Sequence, residues 1–155
     1  MQGVGQPVDW TGFVWNRSSI PKARFILWFA VNERLKSRDK LAALGLIPTD
    51  AYPVCGLISE SHSHMFFACN YSFQCLRDIL TWLGIRIPSD FLADFASRKW
   101  KCPTAKRKIA TIALCSLTYE IWCARNDSIW NFKVPMVSRI TISKEQSFAY
   151  SNQKR

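Results

Sequence analysis

The stretch from about Thr104 to Trp130 limits the fold most. Within it Ala110, Leu114, Leu117, Ile121 and Ala124 recur at the spacing that lines one face of an α-helix. A second stripe, Cys115, Tyr119, Trp122 and Asn126, runs beside the first, so the apolar face is broad. At 1.5 Å per residue the segment makes a rod of roughly 40 Å. A helix with so wide an apolar face belongs at the centre of whatever else the chain builds. Ten Phe and seven Trp supply the cover, each buried ring removing roughly 150–250 Å² from water. With 155 residues, 48% of them hydrophobic, the chain can bury one core and reads as one domain.

Shorter elements flank the rod. Pro21 suits the first turn of a helix, with Ser18 or Ser19 before it as cap. Phe25, Trp28, Phe29 and Asn32 follow i, i+3, i+4, i+7 spacing, which predicts an aromatic stripe turned inward, with Trp28 and Trp122 largely buried. A second helix begins after Ser37, presents Leu41 and Leu44, and stops at Gly45. A third is expected to be capped by Ser72, lined by Leu76, Ile79, Leu80 and Leu83, and ended by Gly84. Ser89 is expected to cap a further short helix around Phe91 to Phe95. Beyond Asn131 the pattern fades, and Val134-Pro135-Met136 cannot continue a regular helix cleanly. The expectation is an all-α fold. It has a flexible arm at 1–9, a small helical domain at 10–130 into which Trp10, Phe13 and Trp15 dock, and a polar, basic tail at 131–155.

One part of the domain reads as an irregular loop with metal-type donors. Cys55, His64 and Cys69 stand in the spacing Cys-x8-His-x4-Cys. Zn²⁺ favours thiolate and neutral imidazole in a tetrahedral shell, and structural sites usually close with four protein ligands. Three are in place here. His62, Cys75, a water or no group at all stands as the fourth, and a weakened site is expected. Cys75, Cys102, Cys115 and Cys123 read as core thiols, since free cysteine is among the most buried residue types. The first ten residues hold no basic segment followed by an apolar run, so the expectation is an intracellular, non-secreted chain with reduced thiols, the nucleus being one possible location. No run approaches the roughly 18 apolar residues of a membrane span.

The Cys/His loop and the segments around it resemble a known family. The zinc-binding domain that follows the polymerase in plant non-LTR retrotransposon reverse transcriptases reads roughly Trp…Pro-Lys-x-x-x-Phe-x-Trp, then Leu-x-Thr-x-Asp-x-Leu. It continues with Cys-x-x-Cys-Gly…Glu-x-x-x-His-x-Phe-Phe-x-Cys and later Ile-Trp-x-x-Arg-Asn. This chain offers Pro21-Lys22-Ala-Arg24-Phe25-Ile-Leu-Trp28, then Leu35-Lys-Ser37-Arg-Asp39-Lys-Leu41. Cys55-Gly56, Glu60, His64-Met-Phe66-Phe67-Ala-Cys69 and Ile121-Trp122-Cys-Ala-Arg125-Asn126 follow in order. The resemblance implies a helical zinc-knuckle domain, with Cys55, His64 and Cys69 as metal ligands. The family's first cysteine falls on Tyr52, and a phenol with a pKa near 10 is a poor substitute. Phe66 and Phe67, next to the ligand histidine, read as anchors of the loop rather than as base-stacking rings.

Charge supplies the second functional clue. Lys and Arg number 21 against 11 Asp and Glu, a net of +10 that favours polyanionic partners. Six cations fall within Arg98-Lys99-Trp100-Lys101-Cys-Pro-Thr-Ala-Lys106-Arg107-Lys108, and Trp100 among them could stack on a base while the cations hold phosphates. Cations at the start of the long helix also oppose its dipole, which favours an external anion there. A second basic stretch runs from Arg34 through Lys36 and Arg38 to Lys40.

Catalysis has no comparable signature. A polymerase of this element type needs paired aspartates for two metal ions, and the chain contains no Asp-Asp pair. Cys55 and His64 form a formal nucleophile–base pair with no identifiable orienting third group. The expected function is therefore a non-catalytic, retrotransposon-derived zinc-binding module contacting RNA or DNA through Arg98, Lys99, Trp100, Lys101, Lys106, Arg107 and Lys108. The alternative is a degenerate structural or interaction fragment that has lost metal and nucleic acid. A retroelement polymerase supplied in trans is a further possible partner, and the sequence favours no oligomeric state.

Overall fold

The computed structural model describes residues 19–85 and 104–140. The arm with Trp10, Phe13 and Trp15, the helix expected near 91–95, the cluster Arg98 to Lys101, Cys102 and the tail beyond 140 lie outside the described residues. Four helices of six or more residues carry the described part: α1 at Pro21–Val31, α2 at Arg38–Ala43, α3 at Asn70–Trp82 and α4 at Thr104–Trp130. A single π-helical turn, His64–Ala68, precedes α3. Among the described residues no strand forms, and one isolated antiparallel bridge pairs Ala51 with Ser59. The all-α expectation stands. Among the same residues no helix is long and apolar enough to cross a membrane.

The long helix buries its first stripe as expected, but of the second only Cys115 is buried, while Tyr119, Trp122 and Asn126 are half-buried. Ala110, Leu114, Leu117, Ile121 and Ala124 are all buried, and they form one core with Leu76, Ile79 and Leu80 of α3. Helix α3 ends where Gly84 takes a φ of +65°, a conformation that costs glycine little. Its start differs from the expectation. Cys69, not Ser72, occupies the cap position, while Ser72 lies inside the helix, fully buried, and donates its hydroxyl hydrogen to the carbonyl of Met65. The serine is used to tie α3 to the π turn rather than to cap it.

Helix α1 packs along α4 by a different face from the one predicted. Its buried residues are Ala23, Leu27 and Ala30, at i, i+4 and i+7. Phe25 is 53% exposed, Trp28 and Phe29 are half-buried, and Asn32 is exposed. Small side chains let the two backbones approach, with Ala23 and Leu27 meeting the fully buried Cys115 of α4. The aromatic rings instead meet one another edge to face, Phe25 against Phe29 at 4.7 Å and Trp28 against Phe29 at 5.1 Å between centroids. Trp28 and Trp122 are each covered by an arginine, Arg34 at 5.2 Å and Arg125 at 5.0 Å from the ring centre. The cap of α1 is Ile20; Ser19 is buried and hydrogen-bonds the Cys115 thiol. Beyond α4, Ile140 is buried and Val137 packs against the same core, while the Tyr71 hydroxyl donates to the carbonyl of Pro135 at 2.8 Å.

Candidate metal centre

Two local turns bring the donors together. The first is the knuckle from Tyr52 to Gly56, closed by the Gly56 amide donating to the Tyr52 carbonyl at 2.7 Å. Gly56 takes a φ of +68°, and nothing lies within 4 Å of where a side chain would begin. The second is the π turn. His64 and Cys69 are five residues apart, a separation that an ordinary α-turn splays to different faces. The wider turn closes with the Cys69 amide donating to the His64 carbonyl at 2.8 Å, an i to i+5 bond that sets both ligands side by side. Phe66, 2% exposed, anchors this turn in the core, and Phe67 packs half-buried beside it.

The donor atoms of Cys55, His64 and Cys69 all lie within 4.8 Å of one another. Cys55 Sγ and His64 Nε2 are 3.4 Å apart. A sulfur at about 2.3 Å and a nitrogen at about 2.0 Å from one zinc, seen at the tetrahedral angle, stand roughly 3.5 Å apart, so the spacing suits a shared ion. Two thiols and an imidazole are also the donor chemistry that zinc prefers. Burial pushes the Cys69 thiol up from its ordinary range. A cation would reverse that by stabilising the thiolate.

His62 does not join the trio. It is buried, and its Nε2 has no hydrogen-bond partner among the described residues. Burial first, and then Lys40, hold its imidazole below the usual range. Cys75 is fully buried in the core, where burial raises its thiol to about 12. Tyr52 stands three residues before Cys55, at the start of the knuckle. Its side chain is fully buried, with its ring edge-on to His64 at 5.6 Å. The hydroxyl has no partner among the described residues, and burial pushes its ionisation far upward. A neutral phenol therefore occupies this corner.

Glu60 has a role that no local sequence pattern reveals. It is fully buried and accepts from Arg125, Nη2 at 2.7 Å and Nε at 3.1 Å. The Arg38 amide, at the start of α2, donates to the same carboxylate at 2.8 Å. The Glu60 amide donates to the Asp50 carbonyl at 2.8 Å. One carboxylate thus ties the knuckle, α2 and α4 together. Both residues stand in segments that carry the resemblance noted in the sequence, Glu60 in the Cys/His loop and Arg125 in Ile121–Asn126.

The cations divide between structural and open positions. Arg38 Nη2 donates to the Thr49 carbonyl at 3.0 Å, Lys40 Nζ donates to the Glu33 carbonyl, and Arg34 covers Trp28. These three serve the turns around α2. Lys36, Lys106 and Lys108 are exposed, and Arg107 is half-buried. No curated protein and no solved structure matches the chain. A family model described as zinc-binding in reverse transcriptase matches residues 1–75, which include Cys55, His64, Cys69 and Glu60 but stop short of α4. The π turn, the knuckle and the three converging donors thus all lie within residues 1–75, the segment that the reverse transcriptase zinc-binding family model matches.

Proposed function

We propose that the chain is a non-catalytic, zinc-stabilised module derived from a plant non-LTR retrotransposon reverse transcriptase, and that it contacts nucleic acid through exposed lysines. The observation that carries the metal part is the convergence of Cys55, His64 and Cys69 within 4.8 Å. Those three residues would hold the ion, leaving one coordination position to water because Tyr52 replaces the thiol of a four-ligand site. The ion would supply a cross-link between the knuckle and the π turn. Native mass spectrometry of protein made with zinc should give close to one equivalent. Tyr52→Cys should tighten its retention, since a fourth thiolate completes the shell.

The nucleic-acid part rests on the net charge of +10 and on the exposure of Lys106 and Lys108 at the start of α4. Binding to single strands should weaken steeply with salt. Changing both lysines to Ala should lower the log–log slope by roughly 1.4, at about 0.7 per phosphate neutralised. A control pair, Lys22 and Lys36, is equally exposed. Equal losses from the two pairs would leave a generally basic surface and no site.

A second reading has its own support. Tyr52, fully buried against the His64 ring, fills the corner of the knuckle with apolar surface. That packing favours a structural fragment whose knuckle folds without metal. A melting temperature unmoved by chelation, with no zinc retained, would select this reading over the first.

A further inference from the structure

The same two thiols that could share an ion are also placed to react with each other. Their sulfurs lie within 4.8 Å, on segments fourteen residues apart in sequence. The two sides of the pair differ in freedom. Cys69 is 1% exposed and sits at the junction of the π turn and α3, held by its amide bond to His64. Cys55 is half-buried, and the chain beyond it is open: Leu57 is 85% and Ile58 55% exposed, with empty space around Gly56. A small rotation of the Cys55 turn can therefore close the gap while Cys69 stays in place. Tyr52 matters here as well, because no third thiol stands on the knuckle to compete.

We propose that in the metal-free chain Cys55 and Cys69 form a disulfide when exposed to a hydroperoxide, so that the knuckle is a site of oxidative modification. The steps balance as follows. The Cys55 sulfur attacks one oxygen of hydrogen peroxide, the O–O bond breaks, and Cys55 becomes a sulfenic acid with release of water. The Cys69 sulfur then attacks Cys55, the S–O bond breaks, and the oxygen leaves with the Cys69 proton as a second water. Two thiols are oxidised and one peroxide is reduced. Partial access at Cys55 admits the oxidant, and burial of Cys69 keeps the second sulfur next to the first product. A bound ion would withhold both sulfurs, and only this protection rests on the metal reading.

The test uses the full chain, purified reduced and freed of metal, treated with hydrogen peroxide near equimolar amounts. Intact mass should fall by two hydrogens, and digestion should yield one cross-linked peptide pair joining Cys55 to Cys69. That pair should vanish in Cys69→Ser, where Cys55 instead accumulates added oxygen. Alkylation of the wild-type chain after treatment, without any variant, should show Cys55 and Cys69 blocked together and recovered by dithiothreitol. Oxygen accumulating on Cys55 of the wild-type chain without a cross-link would overturn the proposal, as would a Cys69–Cys75 pair in its place. Zinc added beforehand should suppress the loss of two hydrogens. Closure unaffected by zinc would sink the metal reading and leave the thiol pair standing. One zinc retained without closure in the metal-free chain would do the reverse.

Discussion

At the knuckle and the π turn Tyr52, Glu60 and Ser72 carry fully buried polar groups among the apolar Met65 and Phe66, with Cys69 beside them. Along the contact of α1 with α4 the buried side chains are Ala23, Leu27 and Cys115. The first region is held by directed bonds: two arginine nitrogens and an amide on Glu60, a serine on the Met65 carbonyl, a π turn closed by one long-ring hydrogen bond. The second is held by close approach of small apolar groups, which has no direction and tolerates neighbours of similar volume. Directed contacts fail all at once when a partner is removed; packed surfaces fail in proportion to the misfit. The two regions should therefore respond differently to the same size of change.

The largest expected effect is at the ion pair. Arg125→Met leaves the Glu60 carboxylate buried with, among the described residues, the Arg38 amide alone to offset it. Breaking one side of a buried pair costs about 3–5 kcal/mol, much more than a surface pair. Urea unfolding should read that loss as a lower midpoint. A loss below about 1 kcal/mol, the value of an exposed pair, would mean that Glu60 does not tie the knuckle to α4 and would remove the contrast. The helix contact should yield less. Ala23→Leu forces extra volume between α1 and α4, where Ala23 is fully buried, and overpacking of this kind costs about 1–3 kcal/mol. Near-neutral behaviour there would show that α1 stands off α4 and is held by its aromatic edge instead.

The same contrast explains what was legible beforehand. The buried face of α4 could be read from Ala110 to Ala124 because a long helix has one period, and many residues report it. Eleven residues of α1 carry the period too, but it fits two stripes: aromatic size points to Phe25 and Phe29, while a close helix crossing selects alanine. Residue type marks Ser18 or Ser19 as the cap, yet Ser19 bonds the Cys115 thiol, a partner too distant in sequence for any local rule to find. At the knuckle the trio Cys55, His64 and Cys69 was visible because its members lie close in sequence. The bond from Glu60 to Arg125 spans 65 residues and has no local signature beyond the shared motif. His62 is as near in sequence to the thiols, but it precedes the π turn, and His64 is the histidine that joins the two thiols.

Tyr52→Phe probes the knuckle with a smaller change. Removing a buried hydroxyl usually costs stability because its hydrogen bond is lost. Here the hydroxyl has no partner among the described residues, so the substitution deletes a desolvated polar group and keeps the ring against His64. The unfolding free energy should stay level or rise by about 1 kcal/mol. A clear loss of stability would reveal a partner for the hydroxyl and place Tyr52 within the directed network of Glu60.

Alkaline pH offers the finest discrimination, because each region buries one thiol outside the trio. Cys75 of α3 lies in the core beneath the knuckle, and burial raises it to about 12. Cys115 lies between α1 and α4; burial raises it as well, while the Ser19 hydrogen bond and Arg24 pull it back. An acid whose ionisation is raised on folding keeps its proton in the native state and loses it in the unfolded chain. The stability it contributes is complete below the unfolded value near 8.5 and is lost as pH rises toward the folded value. Above about pH 8.5 each such thiol should lower stability by up to about 1.4 kcal/mol per pH unit, until its own folded value is reached. Cys75→Ala should flatten that decline out to about pH 12. Cys115→Ala should flatten it over a narrower window, because its hydrogen bond and the nearby cation stabilise the thiolate. Urea midpoints collected from pH 8 upward in the two variants decide it. A longer decline attached to Cys115 would place the drier environment between the helices rather than under the knuckle.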